Sequence, residues 1–88
     1  MTNPQASLSN AEIFDRVCAL ITPFNKKAVA LTADTTFAVD LGLDSLTVMD
    51  LVAAIEDEFD MVLPLNMLPD LETIQQVADA VERIIKDA

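Results

Sequence analysis

The sequence predicts an all-α protein: a four-helix bundle with a long loop between the first and second helices and a short third helix. Three observations carry that expectation. The 88-residue chain contains one glycine, too few for the turns of a strand-rich fold. Its apolar residues, 52% of the chain, are mainly Leu, Ala, Ile, Val and Met interleaved with Asp and Glu, a mixture that suits helices. Those apolar residues also recur at three- and four-residue spacing over long stretches, as one buried helix face requires. A chain of this length makes a single domain, residues 1–88, with one modest core.

The elements follow in order. Residues 1–8 are polar and are expected to be frayed. Ser9-Asn10-Ala11-Glu12 has the capping-box spacing, with Ser9 as N-cap and Glu12 reaching back. Ile13, Val17, Leu20 and Ile21 then share a face, with Phe14 beside them. This first helix ends near Thr22-Pro23, because the residue before a proline resists the α conformation. Cys18 is the sole cysteine, so no internal disulfide or cysteine-based zinc site can form. Its place between Phe14 and Ile21 predicts a small buried hydrophobe rather than a reactive thiol.

From residue 25 to residue 43 the periodicity weakens. Thr32, Thr35 and Thr36 are poor helix formers and Asp34 suits a turn. Leu31, Phe37, Leu41 and Leu43 are the candidates for pinning this connection to the bundle. The second helix spans about Ser45 to Phe59, capped by Asp44 or Ser45. Val48, Leu51, Val52, Ile55 and Phe59 form its apolar stripe, with Asp50, Glu56, Asp57 and Glu58 largely off it. Residues 65–70 suffice for one short helical turn. Asp70 and Thr73 open the last helix, whose core face is Ile74, Val77, Ala78, Val81, Ile84 and Ile85. Arg83 and Lys86 fall in its final turn, where cations favour the helix dipole.

Charge placement excludes several functions. The formal net charge is -10, and the five cations are Arg16, Lys26, Lys27, Arg83 and Lys86. From Ala28 to Glu82 there are twelve acidic residues and no Lys or Arg. Nucleic acid and anionic membranes are therefore poor partners, since counterion release needs cationic side chains. A basic protein surface is the natural partner, and encounter with it is steered. The N-terminus shows no signal-peptide pattern and no run approaches a membrane span, so a cytoplasmic protein is expected. The acidic stretch from Asp34 lacks the alternating ligands, central glycine and terminal Glu of a calcium loop, and no metal site is expected.

Asp40-Leu41-Gly42-Leu43-Asp44-Ser45-Leu46 is the segment that can carry chemistry. On physics alone Ser45 reads as an ordinary helix cap. The chain has no histidine and no lysine nearby in sequence, so Ser45 lacks the base a serine nucleophile needs. Its setting fits a residue that is acted upon: a glycine for access, flanking leucines for anchoring, an acidic helix leading away.

Residues 40–46 resemble the phosphopantetheine attachment motif of acyl carrier proteins, an Asp-Ser-Leu core preceded by Leu-Gly-X. Asp50-Leu51-Val52, Ile55-Glu56-Asp57-Glu58-Phe59-Asp60 and Leu63-Pro64 are similar to that family's second helix and following turn without a gap. The resemblance covers residues 8–86. It implies the acyl-carrier fold and a monomeric carrier rather than an enzyme. A 4'-phosphopantetheine arm, taken from coenzyme A, would be attached to Ser45 by a phosphopantetheinyl transferase. The arm's thiol would hold acyl groups as thioesters for acyl-transferring or acyl-elongating enzymes with basic surface patches, in lipid or polyketide biosynthesis. The resemblance assigns partner recognition to Asp44, Leu46, Met49, Asp50, Glu56 and Asp57. Two other readings compete: a peptidyl or aminoacyl carrier, which shares fold and serine, and a helical adaptor without a prosthetic group, in which Ser45 is only a cap. The acidic side chains could simply be a solvated face, but their single sign, unbalanced by lysines, favours recognition; Met49 could equally be core filler.

The chain departs from the housekeeping fatty-acid carriers at Thr47, where an acidic residue is common. It departs again at Leu65-Asn66-Met67-Leu68-Pro69, an apolar segment in place of an acidic third helix, and in lacking a tyrosine near the C-terminus. These departures predict a specialised carrier. Self-repulsion of the acidic stretch makes one outcome measurable: the melting temperature should rise on adding salt or magnesium at neutral pH. A flat titration would contradict a strongly self-repelling surface.

Overall fold

The computed structural model describes residues 7–87. Three α-helices and two short 3-10 segments make up its regular structure: α1 (Asn10–Ile21), a 3-10 turn (Thr22–Phe24), α2 (Ser45–Phe59), a 3-10 helix (Leu65–Asp70) and α3 (Ile74–Asp87). The 3-10 helix occupies the expected third place, so the all-α, four-element order stands. Of the stretch 1–8 expected to be frayed, residues 1–6 lie outside the described residues. Leu8 at its end is packed in the core, 9% exposed.

α1 starts as its sequence dictates. The Ser9 hydroxyl accepts from the Glu12 amide, and the Glu12 carboxylate accepts from the Ser9 amide, both at 3.1 Å. The bond donated by the Ser9 amide is the main cause that holds the Glu12 carboxyl below its ordinary pKa. Ile13, Val17 and Ile21 are fully buried, and α1 packs chiefly along α3 and less on α2. Cys18 is half-buried, and burial pushes its thiol pKa up, which suits the hydrophobe reading.

α3 presents Ile74, Val77, Ala78, Val81 and Ile85 to the core, and α2 presents Leu51, Ile55 and Phe59. α3 begins with a reciprocal cap of its own. The Thr73 hydroxyl accepts from the Gln76 amide at 3.2 Å, and the Gln76 side chain accepts from the Thr73 amide at 2.9 Å.

The long connection is ordered by hydrogen bonds rather than by regular structure. Asn25 exchanges two bonds with the Val29 backbone. Thr35, buried at 4% exposure, donates its hydroxyl to the Ala30 carbonyl and accepts from the Thr32 amide. The connection is also stitched to the start of α3. Ile74 donates to the Thr35 carbonyl at 3.1 Å, Gln75 to the Ala33 carbonyl at 3.2 Å, and Phe37 to the Glu72 carbonyl at 3.2 Å. Thr36 and Thr73 form an isolated antiparallel bridge there. Two amides of α3's first turn, which a helix leaves unpaired, are thus satisfied by the loop. Phe37 and Leu41 then enter the core, at 6% and 3% exposure, and Leu31 and Leu43 pack against it.

Among the described residues, Ala28 and Asp60 are the non-glycine residues with positive φ, at 54° and 50°. Aspartate tolerates this region, but alanine pays roughly 1–2 kcal/mol for its Cβ. Ala28→Gly removes that strain and adds roughly 0.5–1 kcal/mol of unfolded-state entropy cost. A net stabilisation of about 0.5–1 kcal/mol is expected. Urea denaturation checks it, and a lower midpoint for the variant would contradict the left-handed geometry at Ala28.

Candidate functional site

Ser45 is the first residue of α2, and the approach to it is tightly folded. The Asp40 carboxylate accepts from the Thr36 amide at 2.8 Å and from its hydroxyl at 3.2 Å, while the Asp40 amide donates to that hydroxyl at 3.0 Å. Leu41 donates to the Thr36 carbonyl and Leu43 to the Phe37 carbonyl, at 3.1 and 2.9 Å. Gly42 turns the chain between them with φ of +67°, an angle that glycine adopts without steric cost.

Which residue caps α2 is now settled. Asp44 has extended backbone angles, and its carboxylate accepts from the Thr47 amide at 2.8 Å. Ser45 lies one residue inside the helix. It is exposed, and its hydroxyl makes no hydrogen bond among the described residues. The position therefore offers an oxygen to solvent at the electropositive end of a 15-residue helix.

The serine has no activating base beside it. Two lysines nonetheless approach the segment that leads to the serine. Lys27 packs over Gly42, its Nζ 2.8 Å from where a Cβ would stand. Lys26 and Lys27 line an open hollow together with Asp44, Thr47 and Asp50, but Ser45 is not among its walls. Sequence separation hid this approach, because the loop folds back over residues far along the chain. Among the described residues no cluster of three potential metal ligands occurs, and no helix is long and apolar enough to cross a membrane.

The remaining predicted residues divide by exposure. Leu46 and Met49 are 75% and 57% exposed, so Met49 is not core filler. Asp50 and Asp57 are exposed. Glu56 is committed inside the molecule: its carboxylate accepts from the Leu63 amide at 2.8 Å, and its carbonyl accepts from Asp60 and Met61. The segment 65–69 splits. Leu65 is 77% exposed, while Met67 and Leu68 pack against the core. Val62, 72% exposed, had no sequence signal separating it from its buried neighbour Leu63 except strict alternation.

A cavity of about 30 Å³ lies between α2, the 3-10 helix and α3, walled by residues such as Val48, Val52, Leu63, Leu68 and Leu71. One water needs ~10–15 Å³, so this gap has no room for an extended chain as it stands.

Comparison with known proteins follows from this geometry. The family model described as "Phosphopantetheine attachment site" matches residues 15–81. The chain is similar to "Acyl carrier protein, mitochondrial" of Saccharomyces cerevisiae, 35% identical over 79 residues, 84% of this chain and 63% of that protein. It is 33% identical over 85 residues to "Acyl carrier protein 1, chloroplastic" of Spinacia oleracea, 91% of this chain and 59% of that one. It is 32% identical over 77 residues to "Acyl carrier protein" of Borreliella burgdorferi, 86% of this chain and 96% of that one. It thus spans about three fifths of the length of the two organellar relatives.

The Asp44 cap has a pH signature. Hydrogen bonding from Thr47 lowers the Asp44 pKa below its ordinary value. The cap's contribution is therefore complete above the unfolded-state pKa and is lost as pH falls through the lower, folded-state value. The Thr47 amide proton shift should titrate below the ordinary aspartate range, and Asp44→Asn, which still accepts the bond, should abolish that inflection. An inflection at or above the ordinary value would overturn the assignment of the cap.

Proposed function

The chain belongs to the phosphopantetheine-attachment family of acyl carrier proteins, and we propose from this that it is a monomeric carrier, not a catalyst, holding its cargo on an arm joined to Ser45. The observation that carries the reading is the division of roles at the start of α2. Asp44 does the capping, which leaves the Ser45 hydroxyl exposed and without a structural partner. A helical adaptor in which Ser45 is only a cap does not fit that arrangement.

The site suits the group. A phosphodiester on Ser45 would meet the positive end of α2, where helices favour anions. When attached, 4'-phosphopantetheine from coenzyme A supplies the thiol that holds an acyl group as a thioester. The chain's own residues orient and present. Gly42 and the Thr36–Asp40 bonds fix the approach, Asp44 fixes the helix start, and Leu46 and Met49 offer apolar contact beside the serine. A phosphopantetheinyl transferase, and acyl-transferring or acyl-elongating enzymes with basic patches, are the partners that the exposed Asp50 and Asp57 support. The apolar Leu65 supports a specialised lipid or polyketide pathway. We place the carrier in the cytoplasm, and fractionation of its native host distinguishes this from the compartments for which two relatives are named.

Intact mass is the test. Incubation with coenzyme A and a transferase should add one phosphopantetheinyl group, and Ser45→Ala should abolish the gain without lowering the melting temperature. No gain, or a gain that survives Ser45→Ala, would sink the proposal. The mass of the acyl group on protein from the native host identifies the cargo.

A further inference from the structure

Two exposed apolar side chains follow the C-terminal end of α2, whose first residue is Ser45. Val62 and Leu65 are 72% and 77% exposed, and they flank the turn that follows α2. That turn is held in place. The Glu56 carboxylate accepts from the Leu63 amide at 2.8 Å, Leu63 inserts into the core at 3% exposure, and Asp60 closes α2 in a left-handed conformation. Glu56 lies seven residues after Met49, two helical turns along, so both project from the same side of α2. The Glu56–Leu63 bond therefore brings the turn against the side of α2 that carries Met49. Leu46 and Met49 stand in the first turns of α2, and Val62 and Leu65 flank the turn that follows its last. The α2 axis between them is roughly 20 Å long at 1.5 Å per residue.

We infer that Val62 and Leu65 form a second apolar contact point, which seats a partner enzyme carrying an apolar pocket bordered by lysines or arginines. The inference rests on the carrier reading and names the kind of partner that reads it. Charge selects the occupant. Asp57, Glu58 and Asp60 precede the pair, Asp70 and Glu72 follow it, and no Lys or Arg occurs between Ala28 and Glu82. A second copy of this chain, with a net charge of -10, would meet like charge, as would an anionic membrane. A cationic rim around an apolar seat matches both the centre and the border of this surface. Glu56 acts here as a positioning residue, holding the turn rather than touching the partner.

The test separates apolar seating from attraction of charges. A photo-reactive phenylalanine analogue replaces Leu65 in the phosphopantetheinylated protein within its native host, and the adducted enzyme is identified and purified. Its KM for the carrier is then measured with Val62→Asp/Leu65→Asp and, as a neutral control, Leu65→Asn. Both residues are exposed, so the melting temperature checks only that the fold persists. With an apolar seat the Asp pair raises KM about tenfold or more while kcat changes little, and Leu65→Asn raises it less. If charge alone governs the contact, the added acids leave KM unchanged or lower it, which overturns the inference. Adducts solely between copies of this chain, adducts with lipid, or no enzyme adduct overturn it as well. Absence of the mass gain at Ser45, scored before crosslinking, marks failure of the carrier reading instead.

Discussion

The pairing between the long connection and the start of α3 is the constraint on which the site depends. Residues 25–44 contain no regular helix of their own, and loops of this length inside a small domain need an external hold. They find it where the Thr35 and Ala33 carbonyls take the first-turn amides of α3 and the Phe37 amide reaches Glu72. Each side satisfies groups that the other would otherwise leave unpaired. Phe37 and Leu41 then enter the core, so the chain arrives at Gly42 and Asp44 with little freedom left. The exposed serine is accurate in position because the segment before it is anchored to the start of α3.

Local signals were legible in the sequence and distant ones were not. Ser9 and Glu12 announced the start of α1 by spacing, and the α2 stripe through Leu51, Ile55 and Phe59 marked its buried face. Thr73 and Gln76 carry the same reciprocal spacing and were equally readable. The cap of α2 was ambiguous because Asp44 and Ser45 are both good caps, and only backbone angles separate them. Glu56 looked like any exposed helix acid. Its bond to Leu63 depends on where the chain turns after Asp60, which no periodicity encodes. The approach of Lys27 to Gly42 was invisible for the same reason. Leu65 and Leu68 are identical as residues, yet one faces water and the other the core, since a short 3-10 segment offers too few residues for a face to show.

Surface and interior follow different rules here. Inside, α1, α2 and α3 bury aliphatic side chains closely, with a small gap beside Leu68. Outside, acids of one sign cover the chain from the loop to the last helix, interrupted by a few exposed apolar groups. Such a surface costs stability through self-repulsion and gains discrimination, because like-charged and uncharged surfaces are poor matches for it. The two exposed ion pairs, Arg16–Glu58 at 3.3 Å and Lys86–Glu82 at 2.8 Å, involve cations outside the acidic stretch and are worth little individually.

Asp44 relieves Ser45 of any duty in folding, and this has a consequence for the order of events in the protein's life. The helix start closes on the aspartate without the serine hydroxyl, so a group joined there, as proposed, would not displace a bond that folding uses. On the proposed carrier reading, a transferase would meet a folded helix start rather than a nascent chain. Exchange of a group at that hydroxyl would then leave the cap of α2 in place.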